Sequence, residues 1–115
     1  MAISDETTGQ VDERFSRLVR PVITLTGTTA TVGATYIDAY IVSTNAGAVT
    51  VTIPESTADA GKVFPIGTQF RIFTKGAGTV TVAKTGSDVL TGTATIAQNA
   101  VKVVTKVAAT EWQIG

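Results

Sequence analysis

Glu55 and Asp59 form the only close carboxylate pair in the chain beyond its first fifth. Paired carboxylates are what a glycosidase uses as general acid and as base or nucleophile, about 5 to 9.5 Å apart across a sugar. This pair lies in a Ser-, Thr- and Ala-rich stretch beside Lys62, with only Phe64 as a nearby aromatic, a setting in which charges solvate a loop. Gly76-Ala77-Gly78 has two glycines of a phosphate-cradling loop but neither the third glycine nor the following helix. Residues 79–83 read instead as a strand, so the glycines predict a hairpin turn. Gly86-Ser87-Asp88, with Gly92, lacks the flanking ligands of a calcium loop. The chain has no His and no Cys. That removes the commonest general base and metal ligand, thiolate chemistry and disulfides. The expectation is a protein that is not an enzyme, with no catalytic residue, metal or cofactor.

Other residues suit recognition better than reaction. Arg14, Arg17 and Arg20 are spaced three apart along one side of a predicted N-terminal helix. They form either a solvated face or a set of guanidinium forks for an acidic surface. Trp112, the single tryptophan, is predicted to cap a small core with its N–H hydrogen-bonded; stacking on a sugar is the alternative. Tyr36 and Tyr40 are four apart on one face of a predicted strand, a stripe that suits packing or an interface and, with Trp112, makes up the alternative glycan contact. Asp38 interrupts the same apolar run. An unpaired buried carboxylate is costly, so it should face outward or pair across a subunit interface.

These side chains must be positioned by a largely β chain. Of the 115 residues 43% are hydrophobic and only 6% aromatic, so the apolar content is Val, Ile and Ala, and Thr is roughly a fifth of the whole. β-Branched residues suit a pleated surface and make poor helix interiors. The length suits one domain. Formal net charge is +0, with nine basic and nine acidic residues and no basic run interleaved with aromatics. Nucleic acid and anionic membrane are therefore not expected partners. No apolar run approaches the roughly 18 residues of a membrane span. Met1 to Glu6 is acidic and lacks the charged and apolar regions of an export signal, so a soluble chain is expected.

Composition changes at Pro21. Asp5, Glu6, Asp12, Glu13, Arg14, Arg17 and Arg20 all precede it, and the remainder is charge-poor. Residues 1–21 therefore read as an arm and 22–115 as a β domain. In the arm, Val11, Phe15, Leu18 and Val19 mark one face of a short helix, which Thr8 can cap and Pro21 stops. A lone helix of about ten residues is marginal in water, so that face needs something to dock on. Beyond Pro21, period-two alternation predicts strands at 22–26, 36–42, 48–53, 69–73, 79–83, 89–90, 100–107 and 111–114. Asn45-Ala46-Gly47 makes a turn, and residues 55–62 form an exposed loop or a single helical turn. The expected class is all-β, a small β-sandwich or barrel behind a short N-terminal helical arm.

The span from Val49 to Gly115 resembles a β module of tailed-bacteriophage virion proteins, found in tail fibres and small head-associated proteins. The resemblance is carried by Thr52-Ile53-Pro54, Phe64-Pro65-Ile66-Gly67-Thr68, Gly76 to Val82, and Lys106-Val107 leading to Trp112-Gln113-Ile114-Gly115. It implies a homotrimer with a binding or architectural role. A module nearly alone behind an arm is better suited to the capsid exterior than to a complete tail fibre. The expected function is a capsid decoration (cement) or head-fibre protein, assembled in the host cytoplasm, that binds the major capsid protein through Val11, Arg14, Phe15, Arg17, Leu18 and Arg20. A carbohydrate- or receptor-binding fibre tip using Tyr36, Tyr40 and Trp112 is the alternative.

Overall fold

The computed structural model of the chain describes residues 20–115. The helix expected over the arm, with Val11, Arg14, Phe15, Arg17 and Leu18, lies outside the described residues. From Pro21 onward the chain winds through two facing sheets. Strands β1 (Val22–Leu25), β3 (Tyr40–Ser43) and β5 (Gln69–Thr74) lie in one sheet; β2 (Thr29–Thr31), β4 (Val49–Ile53) and β6 (Val80–Lys84) lie in the other. Within each sheet these successive strands pair in parallel. The chain thus makes three stacked turns, each contributing one strand per sheet. The last strands close the wind. They are β7 (Val89–Gly92), β8 (Thr95–Ile96), β9 (Val101–Ala108) and β10 (Glu111–Ile114). β8 joins β6 antiparallel, β9 joins β5 antiparallel, and β10 lies between β9 and β7. The larger sheet runs β1-β3-β5-β9-β10-β7 and the smaller β2-β4-β6-β8. The expected all-β sandwich is what forms.

Two turns have a different role from the one their sequence suggests. Asn45-Ala46-Gly47 and Gly76-Ala77-Gly78 do not close hairpins, because the strands on either side belong to different sheets. They are corners, and the corners stack. Asn45 Nδ2 donates to Thr26 O at 2.8 Å, Gly76 N to Ser43 O at 2.9 Å and Gly78 N to Asn45 O at 3.1 Å. A Cβ on Gly78 would overlap the Gly47 carbonyl and lie 2.9 Å from its Cα, so only glycine fits that approach. The local hairpin is instead β9–β10, joined through Ala109 and Thr110.

The predicted strand over 36–42 is shortened. Ala34–Tyr36 form a 3₁₀ turn and Asp38 takes φ 61°, so extended pairing starts only at Tyr40. Tyr36 and Tyr40 therefore share no strand face. Tyr36 packs against the core while Tyr40 points away from it.

Alternation sends Ile41, Phe70, Ile72, Val104, Trp112 and Ile114 inward from the larger sheet, against Val49, Val51, Ile53, Val80, Val82 and Ile96 from the smaller. The two outward faces differ. On the smaller sheet the register aligns Thr29, Thr50, Thr81 and Thr95 in one row, and Thr31, Thr52 and Ala83 in the next. On the larger sheet the corresponding rows are Val22, Tyr40, Arg71 and Val103, then Thr24, Val42, Phe73 and Val101. One side is a hydroxyl surface; the other is largely apolar.

Candidate functional site

Four of the five carboxylates among the described residues accept a hydrogen bond from a residue distant in the chain. Glu55 Oε2 accepts from Ser87 N at 3.0 Å and from Ser87 Oγ at 3.2 Å, which ties the long β4–β5 connection to the turn before β7. Asp88, 2% exposed, accepts from Ser56 N at 3.0 Å and Ser56 Oγ at 2.7 Å through Oδ2. Its Oδ1 is buried with no hydrogen-bond partner among the described residues. Glu111 accepts from Thr91 Oγ1 at 3.0 Å. Asp59, the other member of the predicted pair, is exposed and lies 3.9 Å from Lys62. Glu55 and Asp59 thus take separate roles, the first buttressing a neighbouring turn and the second facing solvent. The stretch that carries them folds as successive turns, with Ala58 N on Glu55 O and Gly61 N on Ala58 O.

Trp112 is fully buried, so its ring is not presented to a sugar and the predicted glycan contact through it is corrected. Phe64 packs edge-on against the indole at 5.6 Å between centroids, and Phe70 lies tilted at 5.9 Å. The expected core role is the observed one, but the expected hydrogen bond is not. Trp112 Nε1 has no acceptor among the described residues. Above the ring sits Lys106, 5% exposed, its Nζ 5.9 Å from the ring centroid and donating to Phe64 O at 2.8 Å. The cation is held by a π face and one carbonyl. The sequence reading passed over this buried lysine, although alternation in phase with Val104 points it inward.

Arg20 is the one predicted arm contact among the described residues. Its Nε donates to Asp38 Oδ1 at 2.8 Å, with both side chains about half exposed. Asp38 faces outward, as expected, and its partner comes from its own chain rather than from another subunit. Tyr40 N donates to Pro21 O at 2.8 Å, so the arm leaves the sandwich at the start of the edge strand β1. That exit adjoins the apolar rows of the larger sheet.

That outer face is the surface the sequence reading missed. Four of the six large hydrophobic side chains most open to solvent among the described residues, Val22, Val89, Val101 and Val107, lie on it. A signal was present. Tyr40-Ile41-Val42 and Val103-Val104 are apolar in both phases of the alternation, the pattern of strands covered on both faces. In the middle of the patch Arg71 is partly buried, and its Nη1 has no hydrogen-bond partner among the described residues. No group of three or more metal-ligating side chains occurs among the described residues. The described residues thus combine an apolar outer face beside Pro21 with a core closed around its aromatic rings. Comparison with family models, with curated proteins and with solved structures gave no match.

Proposed function

We propose that the protein is a structural module of a bacteriophage virion, a capsid decoration or head-fibre protein that binds the major capsid protein and strengthens the shell. The observation that supports this reading is the Arg20–Asp38 pair, which ties the last residue before Pro21 to the turn ahead of β3.

The mechanism is thermodynamic. A ligand that binds only the assembled shell stabilises it by mass action, and a contact of about 1,600 Å² is the usual size for a specific, stable complex. Arg14 and Arg17 supply donors for acidic patches on the shell, and three copies assemble around each docking site. The resemblance of residues 49–115 to phage virion modules supports the virion assignment.

The test is co-sedimentation with capsid shells. The chain without residues 1–20 should lose shell binding while keeping its β circular dichroism and buried Trp112 emission; undiminished binding would refute the role of the arm.

A further inference from the structure

We infer that two copies of the chain join end to end through the edge strands β1 and β2, each sheet of one copy continuing into the same sheet of the other. This goes beyond the capsid reading and does not rest on it, because it concerns the isolated protein.

The free edge follows from the ladder bonds. Tyr40 N donates to Pro21 O at 2.8 Å and Thr44 N to Leu25 O at 3.0 Å. In a parallel pair alternate residues bond to the same neighbour, so Pro21, Ile23 and Leu25 turn toward β3 while Val22 and Thr24 aim their N–H and C=O groups away from it. β2 repeats the arrangement. Thr50 N donates to Thr28 O and Val32 N to Thr52 O, both at 2.9 Å, which leaves Thr29 and Thr31 facing away from β4. β1 and β2 are the terminal strands of their sheets, and all four of these residues are exposed. Sheet edges are normally blunted by charge, proline or a bulge. Residues 22–37 carry no charge and no proline, and the charges that flank them, Arg20 and Asp38, are paired with each other.

The shape of this end selects the occupant. The two edges belong to successive strands of one turn of the wind, joined through Thr26-Gly27-Thr28, and lie in two layers about 10 Å apart. A single extended peptide would satisfy one layer only. The other end of the wind is not flush, since the larger sheet has six strands and the smaller four. It finishes on β7 in one layer and on the two-residue β8 in the other. Head-to-tail stacking is therefore mismatched, and the flush end finds its match in the same end of a second copy. A two-fold axis normal to both sheets sets β1 antiparallel to its counterpart and β2 antiparallel to its own, and such an isologous contact closes without propagating. With Val22 opposite the partner's Thr24 and Thr29 opposite the partner's Thr31, each pair exchanges two hydrogen bonds, about eight in all. Ile23 and Leu25, which face inward but are only partly buried at this open end, gain cover in the same step.

The test is amide hydrogen exchange of the full-length protein, read residue by residue in dilute and in concentrated solution alongside sedimentation. The expected result is a dimer that forms with concentration. In it the amides of Val22, Thr24, Thr29 and Thr31 exchange about tenfold more slowly than in the dilute monomer, while those of Ile23 and Ala30, already bonded within the sheets, are protected in both. Thr24→Pro with Thr31→Pro removes two edge donors that the fold itself does not use. That variant should keep its β circular dichroism and buried Trp112 emission and sediment as a monomer. A wild-type chain that stays monomeric in concentrated solution, or that assembles only as trimers, overturns the proposal. So does a dimer in which the four edge amides exchange freely. Protection of all four in the dilute monomer overturns it as well, because the edge is then covered within one chain. None of these outcomes depends on capsid binding.

Discussion

The stacked corners can be tested by making one substitution, glycine to alanine, at three positions. At Gly78 the added methyl meets the Gly47 backbone, which cannot rotate aside as a side chain would. Relief requires the Gly76–Gly78 corner to lift from the Asn45–Gly47 corner, which breaks the bonds from Gly76 N to Ser43 O and from Gly78 N to Asn45 O. Two backbone hydrogen bonds cost about 2 kcal/mol together, at about 1 each. Residual overpacking adds about 1 kcal/mol. Alanine also restricts the unfolded chain, a gain of about 0.7 kcal/mol. Gly78→Ala should therefore destabilise by about 2 kcal/mol on these figures. Gly33 has nothing within 4 Å of a Cβ and an extended backbone at φ −125°, so Gly33→Ala keeps only the gain. Gly47, with Asn45 Oδ1 at 3.4 Å, falls between them. Urea unfolding followed by the single tryptophan reports all three variants. With a slope of about 1.5 kcal/mol per molar, the Gly78 and Gly33 midpoints should differ by about 2 M at equal slope. Midpoints within about 0.3 M of one another, with the slope unchanged, would refute close stacking of the corners.

Trp112→Ala empties the space between Phe64, Phe70 and Lys106 and should cost about 3 to 5 kcal/mol, measured by circular dichroism because the fluorescent probe is gone. Trp112→Phe should recover more than half of that loss. Asp88→Ala removes the acceptor of Ser56 N and Oγ and should cost about 1 to 3 kcal/mol, whereas exposed Asp59→Ala should change the thermal midpoint hardly at all.

Strand positions were legible because period-two alternation is a local signal. Residues 111–114 coincide with β10, and 22–26, 48–53, 69–73, 79–83 and 100–107 differ from the observed strands by a residue or so at their ends. Two strands left little trace. β2 is Thr-Ala-Thr, with one small inward side chain, and β8 has two residues. Pairing was not legible. A Gly-Ala-Gly turn serves a hairpin and a corner between sheets equally well, and what decides is whether β5 finds β3 or β6 beside it, a contact across about thirty residues. Asp38 was misplaced in a strand because its neighbours Ile37 and Ala39 are apolar, yet Asp is among the few side chains that tolerate the left-handed conformation it adopts. The apolar outer face left only a partial signal, the two-phase apolarity of Tyr40-Ile41-Val42 and Val103-Val104, because which residues share it follows only from the registers that align Val22, Tyr40, Arg71 and Val103.

The parallel winding also bears on how the chain reaches its fold. Val22 pairs with Tyr40, and Tyr40 with Arg71, so no turn of the wind can form from neighbouring residues alone. Each must close a loop before any pairing rewards it. Only β9 and β10 are joined tightly enough to pair early. Folding should therefore start at the C-terminal hairpin, recruit β5 against β9 and finish at the edge strand β1, with rates in the millisecond-to-second range of non-local β topologies. During synthesis the earliest strands to emerge would wait for the latest. Substitutions at Val104 should then slow refolding, and those at Ile23 should mainly speed unfolding.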